Sequence, residues 1–252
     1  MLNNTLDNVD INEERYARQL CLPAFGLQQQ LLLKQSKVVI IGAGGLGCPV
    51  ALYLAGAGVG QIIIADGDTV DISNLHRQIA HTTKGIGENK ANSLVQKLQL
   101  LNPDNTYIAV TEHAQTSDKI AALCEDANLL VDCSDNFETH FLLADTCQQL
   151  KLPWVSGSVY QYQGQVMSFL PNNSTCYRCL YQQTELQNLP ACAELGALGP
   201  ITGVIGSLMA GEALQILLGE FPPSVDRLLH YDYKQQQLRH FKRSKAPNCS
   251  CN

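Results

Sequence analysis

The chain has 252 residues, 45% of them hydrophobic and 16% charged, and a formal net charge of −6. The apolar share excludes a disordered or low-complexity chain. The acidic balance excludes a nucleic-acid binder or a protein held on an anionic membrane, since both need a basic face. The length suits one large globular domain, and no linker divides it.

The first residues, MLNNTLDNVD, are polar and acidic, the opposite of a secretory signal. The longest apolar stretch, residues 203–219, contains Glu212 and Gln215 and falls short of the ~20 residues of a membrane span. It reads as a buried helix, and the protein as cytoplasmic with no membrane partner.

In chain order, residues 13–35 read as helical, with Arg15 and Arg18 on one side. KVVII (37–41) is a buried strand, GAGGLG (42–47) a loop, and a small-residue helix runs on to Ala57. QIIIAD (61–66) is a second buried strand. Residues 88–101 form an amphipathic helix that Asn102 and Pro103 stop. TYIAV (106–110), NLLVD (128–132) and PWVSG (153–157) continue the strands, with helices at 117–125 and 138–150 between them. This alternation predicts parallel βαβ units in a doubly wound, Rossmann-like α/β fold. Residues 164–170, 227–233 and 236–241 alternate as antiparallel strands, the last two as a hairpin turning near Lys234 and Gln235.

Gly42, Gly44 and Gly47 match G-x-G-x-x-G directly after a strand and at the start of a helix. Such a loop lets backbone approach a pyrophosphate at a helix N-terminus. Asp66 ends the next strand, where a carboxylate binds ribose hydroxyls. The fingerprint alone favours NAD. The following loop, DGDTVDISNLHRQ (66–78), instead concentrates Asp66, Asp68, Asp71, Asn74 and Arg77, and Lys90 opens the next helix. VDCSDN (131–136) sets Asp132 and Asp135 at another strand end. Cations together with a spare carboxylate suit a polyphosphate with Mg²⁺, which takes one or two carboxylates plus phosphate oxygens.

Ten cysteines are present. Cys21, Cys48, Cys124, Cys133 and Cys147 stand alone in apolar or helical surroundings and read as small buried hydrophobes. Cys176 and Cys179 form a C-x-x-C half-site for zinc, which two further thiolates would complete.

The ordered set RYARQ (15–19), GAGGLG (42–47), ADGDTV (65–70), SNLHRQ (73–78), DCSDN (132–136), CYRC (176–179) and GVIGSL (203–208) resembles the ThiF/MoeB/HesA family. These are bacterial relatives of ubiquitin-activating enzymes that adenylylate the sulfur carrier of thiamine synthesis or the small subunit of molybdopterin synthase. The resemblance spans roughly residues 13–251. It implies one adenylyltransferase domain over 1–252, with a nucleotide-binding half (13–150) and a zinc- and carrier-binding half (151–252). In the implied reaction, the C-terminal Gly-Gly carboxylate of a small ubiquitin-like protein attacks the α-phosphorus of ATP in the presence of Mg²⁺, releasing pyrophosphate.

The resemblance implies roles for individual residues. Gly42, Gly44, Gly45 and Gly47 pass close to the nucleotide, Asp66 holds the ribose, and Asp68 and residues Ser73, Asn74, Leu75 and His76 belong to the same site. Asn74, Arg77 and Lys90 neutralise phosphates, Asp135 holds Mg²⁺, and Asn136 lies beside the nucleotide. Arg18 reaches across from the other subunit of a homodimer. Zn²⁺ is held by Cys176 and Cys179 with a second pair near the C-terminus. Here that pair is Cys249 and Cys251, one residue closer than the family's C-x-x-C, a real departure. Cys192 stands where the family carries its sulfur-transfer cysteine. No rhodanese-like extension follows residue 252, so persulfide is expected from a separate protein.

Two other readings compete: an NAD-dependent oxidoreductase on the same fold, and a zinc scaffold without catalysis. A related enzyme acting on a tRNA base shares the N-terminal motifs but generally lacks the cysteine pairs. The motifs do not discriminate the thiamine carrier from the molybdopterin one.

Overall fold

The computed structural model describes residues 11–171, 175–181, 196–247 and 249. Among them, eight strands form one sheet: β1 (Lys37–Ile41), β2 (Gln61–Ala65), β3 (Thr106–Val110), β4 (Leu129–Asp132), β5 (Trp154–Tyr160), β6 (Gln163–Phe169), β7 (Arg227–Asp232) and β8 (Gln237–Lys242). Their order is β3-β2-β1-β4-β5-β6-β7-β8. The pairings from β3 through β5 are parallel and those from β5 through β8 antiparallel, as the sequence predicts. Val39 of β1 lies beside Ile63 of β2 and Leu130 of β4.

Side chains alternate across the pleat, so one strand feeds two cores. Val38 and Ile40 face α3 (Gly47–Ala57), α4 (Lys90–Leu101) and α7 (Gly199–Leu217). Val39 and Ile41 face α5 (Ser117–Leu123) and α6 (Phe137–Leu150). Continuous apolar runs such as VVII follow from burial on both faces.

The segment 13–35 is two helices, α1 (Glu13–Leu20) and α2 (Leu27–Gln35), where the sequence suggested one. Pro23 disfavours helix at the residue before it, and Ala24 follows with φ of 62°. Gly26 then starts α2 in extended backbone, its N–H donating to the Gln29 side chain. Cys21 ends α1 and is exposed, contrary to its reading as a buried residue. Cys48, Cys124, Cys133 and Cys147 are buried as expected.

The apolar stretch near residue 203 is α7, long and apolar enough by composition to cross a membrane. Here Ile201, Ile205, Met209 and Ala213 are fully buried in the core against α3 and the sheet. Its charged residue Glu212 is buried too, accepting hydrogen bonds from the Ser168 and Ser224 hydroxyls. Burial raises the Glu212 pKa above the usual carboxylate range against those bonds.

Candidate active site

The strand order reverses at β1, whose chain continues to β2 on one side while β4 lies on the other. Doubly wound folds bind ligands at the carboxyl ends of strands flanking such a switch point. A cleft of about 830 Å³ opens there, floored by Ile41, Ala65 and Cys133 and walled by Gly42, Gly44 and Gly45. Gly42 adopts φ of 98°, and a Cβ there would come within 2.6 Å of the Cys133 carbonyl oxygen. Gly47 is absent from the wall: it starts α3 so close to the Gly42 carbonyl that a side chain has no room. Its glycine serves close packing of α3 against the loop, while the other three line the cleft.

The peptide of Ala43 inside this loop is held from both sides. Asp66 Oδ2 accepts its N–H at 2.7 Å, and the His81 Nε2–H donates to its carbonyl at 2.8 Å. His81 is buried, its Nδ1 facing the Ser93 hydroxyl at 2.9 Å. Burial lowers its pKa, favouring the neutral ring, in which Nε2–H donates and Nδ1 accepts from the Ser93 hydroxyl.

Arg77, His76, Asp68 and Lys90 line the same cleft. Lys90 is only 7% exposed, and its Nζ meets Asp68 Oδ2 at 2.8 Å. That bond holds the Asp68 carboxyl below its usual range. Asn89 caps α4 with its Oδ1 on the Ala91 and Asn92 N–H groups, so the helix end is already satisfied by protein. Asn74 is not in the wall; its Oδ1 accepts from Arg77 Nη2 at 3.2 Å and from Gln78 Nε2 at 3.0 Å, aiming both. Ser73 and Leu75 sit outside the wall in the same turn, the Ser73 carbonyl accepting from Arg77 Nη1. Asp71 caps that turn through the Ser73 N–H.

Across the cleft, Asp135 and Asn136 follow β4, and Asn136 caps α6 through the Thr139 N–H at 2.9 Å. Arg18 is exposed on α1 and does not line the cleft of its own chain.

Three lining residues were not singled out from the sequence. Gln78 is buried, and its Oε1 has no hydrogen-bond partner among the described residues. His113 approaches Asp68 Oδ1 at 3.4 Å, packed where any side chain on Gly67 would stand. Thr202 of α7 closes over Gly45, within 3.0 Å of where a Cβ would be. Gln78 closes the SNLHRQ motif without standing out in it, Thr202 directly precedes GVIGSL, and His113 is brought in by tertiary folding alone.

A second cavity of about 330 Å³ joins the first at Asp135 and Ser158 and extends over β5, β6 and β7. On its wall, the His140 Nδ1 meets the fully buried Asp132 carboxylate at 2.5 Å. Ser134 and Ser156 hydroxyls also donate to Asp132. Burial works against charge on His140, but the Asp132 carboxylate outweighs it and raises the histidine pKa.

The sulfurs of Cys176, Cys179 and Cys249 lie within 4.8 Å of one another. Cys176 Sγ is 3.7 Å from Cys179 Sγ and 3.2 Å from Cys249 Sγ. Tetrahedral zinc with bonds of about 2.3 Å sets its sulfurs about 3.8 Å apart, which the Cys176–Cys179 separation matches and the Cys176–Cys249 separation falls short of. Cys251 and Cys192 lie outside the described residues.

The ThiF family matches residues 16–252. Among curated relatives, "Adenylyltransferase and sulfurtransferase uba4" of Emericella nidulans is 44% identical over 252 residues, covering 94% of this chain and 52% of that protein. "Adenylyltransferase and sulfurtransferase MOCS3" of Aedes aegypti is 44% identical over 250 residues, covering 98% of this chain and 56% of that protein. The chain thus spans about half the length of the curated relatives it matches. Among solved structures, that of E. coli MccB with ATP superposes with a TM-score of 0.85 at 21% identity, covering 98% of this chain and 75% of that one. With all eight strands and the cysteine knuckle inside one match, the chain belongs to the ThiF family.

Proposed function

We propose that the protein adenylylates the C-terminal glycine carboxylate of a small ubiquitin-like sulfur carrier. The supporting observation is the convergence of Arg77, Lys90, Asp66 and Asp135 on one glycine-walled cleft at the sheet's switch point. A carboxylate oxygen bonds to the α-phosphorus of ATP while the bond to the β-phosphate oxygen breaks, and pyrophosphate leaves. No proton moves and no base is required, so the protein's work is positioning and charge neutralisation. Asp66 meets the ribose; Lys90 turns from Asp68 to phosphate; Asn74 keeps Arg77 aimed. The unpartnered Gln78 oxygen, buried at the wall, fits a donor on the nucleotide. The tail of the carrier enters through the second cavity.

Asp135, open to the cleft, suits Mg²⁺, which when bound neutralises charge on the leaving phosphates. Cys176, Cys179 and Cys249, with Cys251, are the set we assign to structural Zn²⁺. Arg18, exposed on α1, reaches the phosphates of the other subunit's site in a homodimer. In the cytoplasm, Cys192 attacks the acyl-adenylate, its sulfur bonding to the carrier's terminal carbonyl carbon as AMP leaves, and so links covalently to the carrier, while persulfide sulfur comes from a separate donor. The thiamine and molybdopterin carriers remain the two substrates to separate. ATP–pyrophosphate exchange with each candidate carrier of the same organism does so: exchange dependent on one carrier identifies it, and exchange with neither defeats the reading.

A further inference from the structure

The Asp132–His140 pair does not line the nucleotide cleft, yet it is held by several hydrogen bonds. Asp132 is fully buried and accepts from Ser134, Ser156 and His140 together. His140 commits Nδ1 to this carboxylate, and its Nε2 makes no hydrogen bond among the described residues, while the ring lines the second cavity. Asp132 accepts the Nδ1–H and favours the doubly protonated ring against burial, so that Nε2–H is the donor offered to the cavity. The rest of that wall is largely apolar, with Phe137 and Met167. His230, from β7, stands on the same cavity with a buried Nδ1 that has no hydrogen-bond partner among the described residues. The His230 Nδ1 is buried away from solvent, so the donor available to a ligand in this cavity is the His140 Nε2, which calls for a ligand bearing an acceptor. Besides Asp132, which His140 already engages, the acid on the lining is Asp135, at the junction with the nucleotide cleft, where a bound cation would neutralise it.

We propose that His140 holds the carboxylate terminus of the incoming substrate, donating from Nε2, and hands it across the Asp135–Ser158 junction to the nucleotide. This rests on the reading that a carboxylate-ended tail is the nucleophile. The cavity and the cleft share Asp135 and Ser158 in their walls, so a tail lying in the cavity points its end toward the proposed nucleotide site. A charge-assisted bond to a carboxylate is the strongest contact an otherwise apolar cavity of this kind can offer.

The test uses a short synthetic peptide ending in Gly-Gly, as the free acid and as the carboxamide, titrated into the full chain. The free acid should bind about tenfold more tightly than the amide, the scale of one hydrogen bond to a charged group. The Nε2 resonance of His140 should move with the acid and stay with the amide. His140→Ala should erase the preference; His140→Gln, which keeps an N–H donor, should restore part of it, each variant's fold being verified by its amide spectrum. Equal binding of acid and amide to the unsubstituted protein, or a preference that survives in His140→Ala, overturns the assignment. Pyrophosphate exchange run alongside separates the two ideas. Exchange without an acid preference removes only the role of His140. An acid preference without exchange, with any carrier, removes the adenylylation reading.

Discussion

Lys90 shows how a charge is kept ready inside a half-closed wall. Its side chain is buried, and Asp68, more than half exposed, supplies the counter-charge at 2.8 Å. Lys90→Ala or Arg77→Ala should lower adenylylation by about 10²-fold, the scale of losing one preorganised donor, as pyrophosphate exchange would record. The same contact carries a pH signature. Asp68 is held below its usual range first by the Lys90 hydrogen bond, so the pair's contribution to stability is present above about pH 4 and is lost as pH falls through the lower folded value. In Lys90→Ala the Asp68 carboxyl should titrate at a higher pH, read from its carbon resonance. Asp66, Arg77, Lys90 and Asp135 were legible because each stands in a motif next to a strand end or helix start. His81, His113 and His140 were not, because their meaning lies in what they meet: the Ala43 carbonyl, Asp68 and Asp132, far away in sequence.

At the scale of elements, strands were read most faithfully, since β1 to β4 are short apolar runs with turn residues on both sides. The error at 13–35 came from treating a leucine- and glutamine-rich segment as continuous; the backbone constraint of Pro23 outweighed the helix formers around it. The cysteine knuckle is the other element with a consequence for stability. Purified, reduced protein should carry about one zinc per chain, and Cys176→Ser should lose it and lower the melting temperature, because metal binding at a structural site is folding free energy. Metal analysis and a thermal melt, before and after chelation, check both halves. The C-x-x-C spacing foretold that Cys176 and Cys179 would meet; that Cys249 joins them depends on the chain's return after β8 and was legible only through the family resemblance.

For the molecule as a whole, the proposed reaction divides into a step at the nucleotide and a later step at a thiol. Cys192→Ala should leave pyrophosphate exchange nearly intact and reduce only carrier thiocarboxylate formed with a persulfide donor. Asp135→Ala should abolish both, since the second step consumes the product of the first. Loss of exchange in Cys192→Ala would put that thiol in the nucleotide site or the fold. The antiparallel extension was legible from the change of pattern after residue 157, while its attachment to β5 was not.

That attachment bears on how the protein moves. β5 pairs with β4 on one edge and with β6 on the other, so the two halves share one uninterrupted hydrogen-bonded sheet. A hinge between them would have to shear that strand. Admission of nucleotide and tail is therefore a matter of side chains and loops at the rim, and the scattering envelope in solution should keep the same radius of gyration with and without ATP.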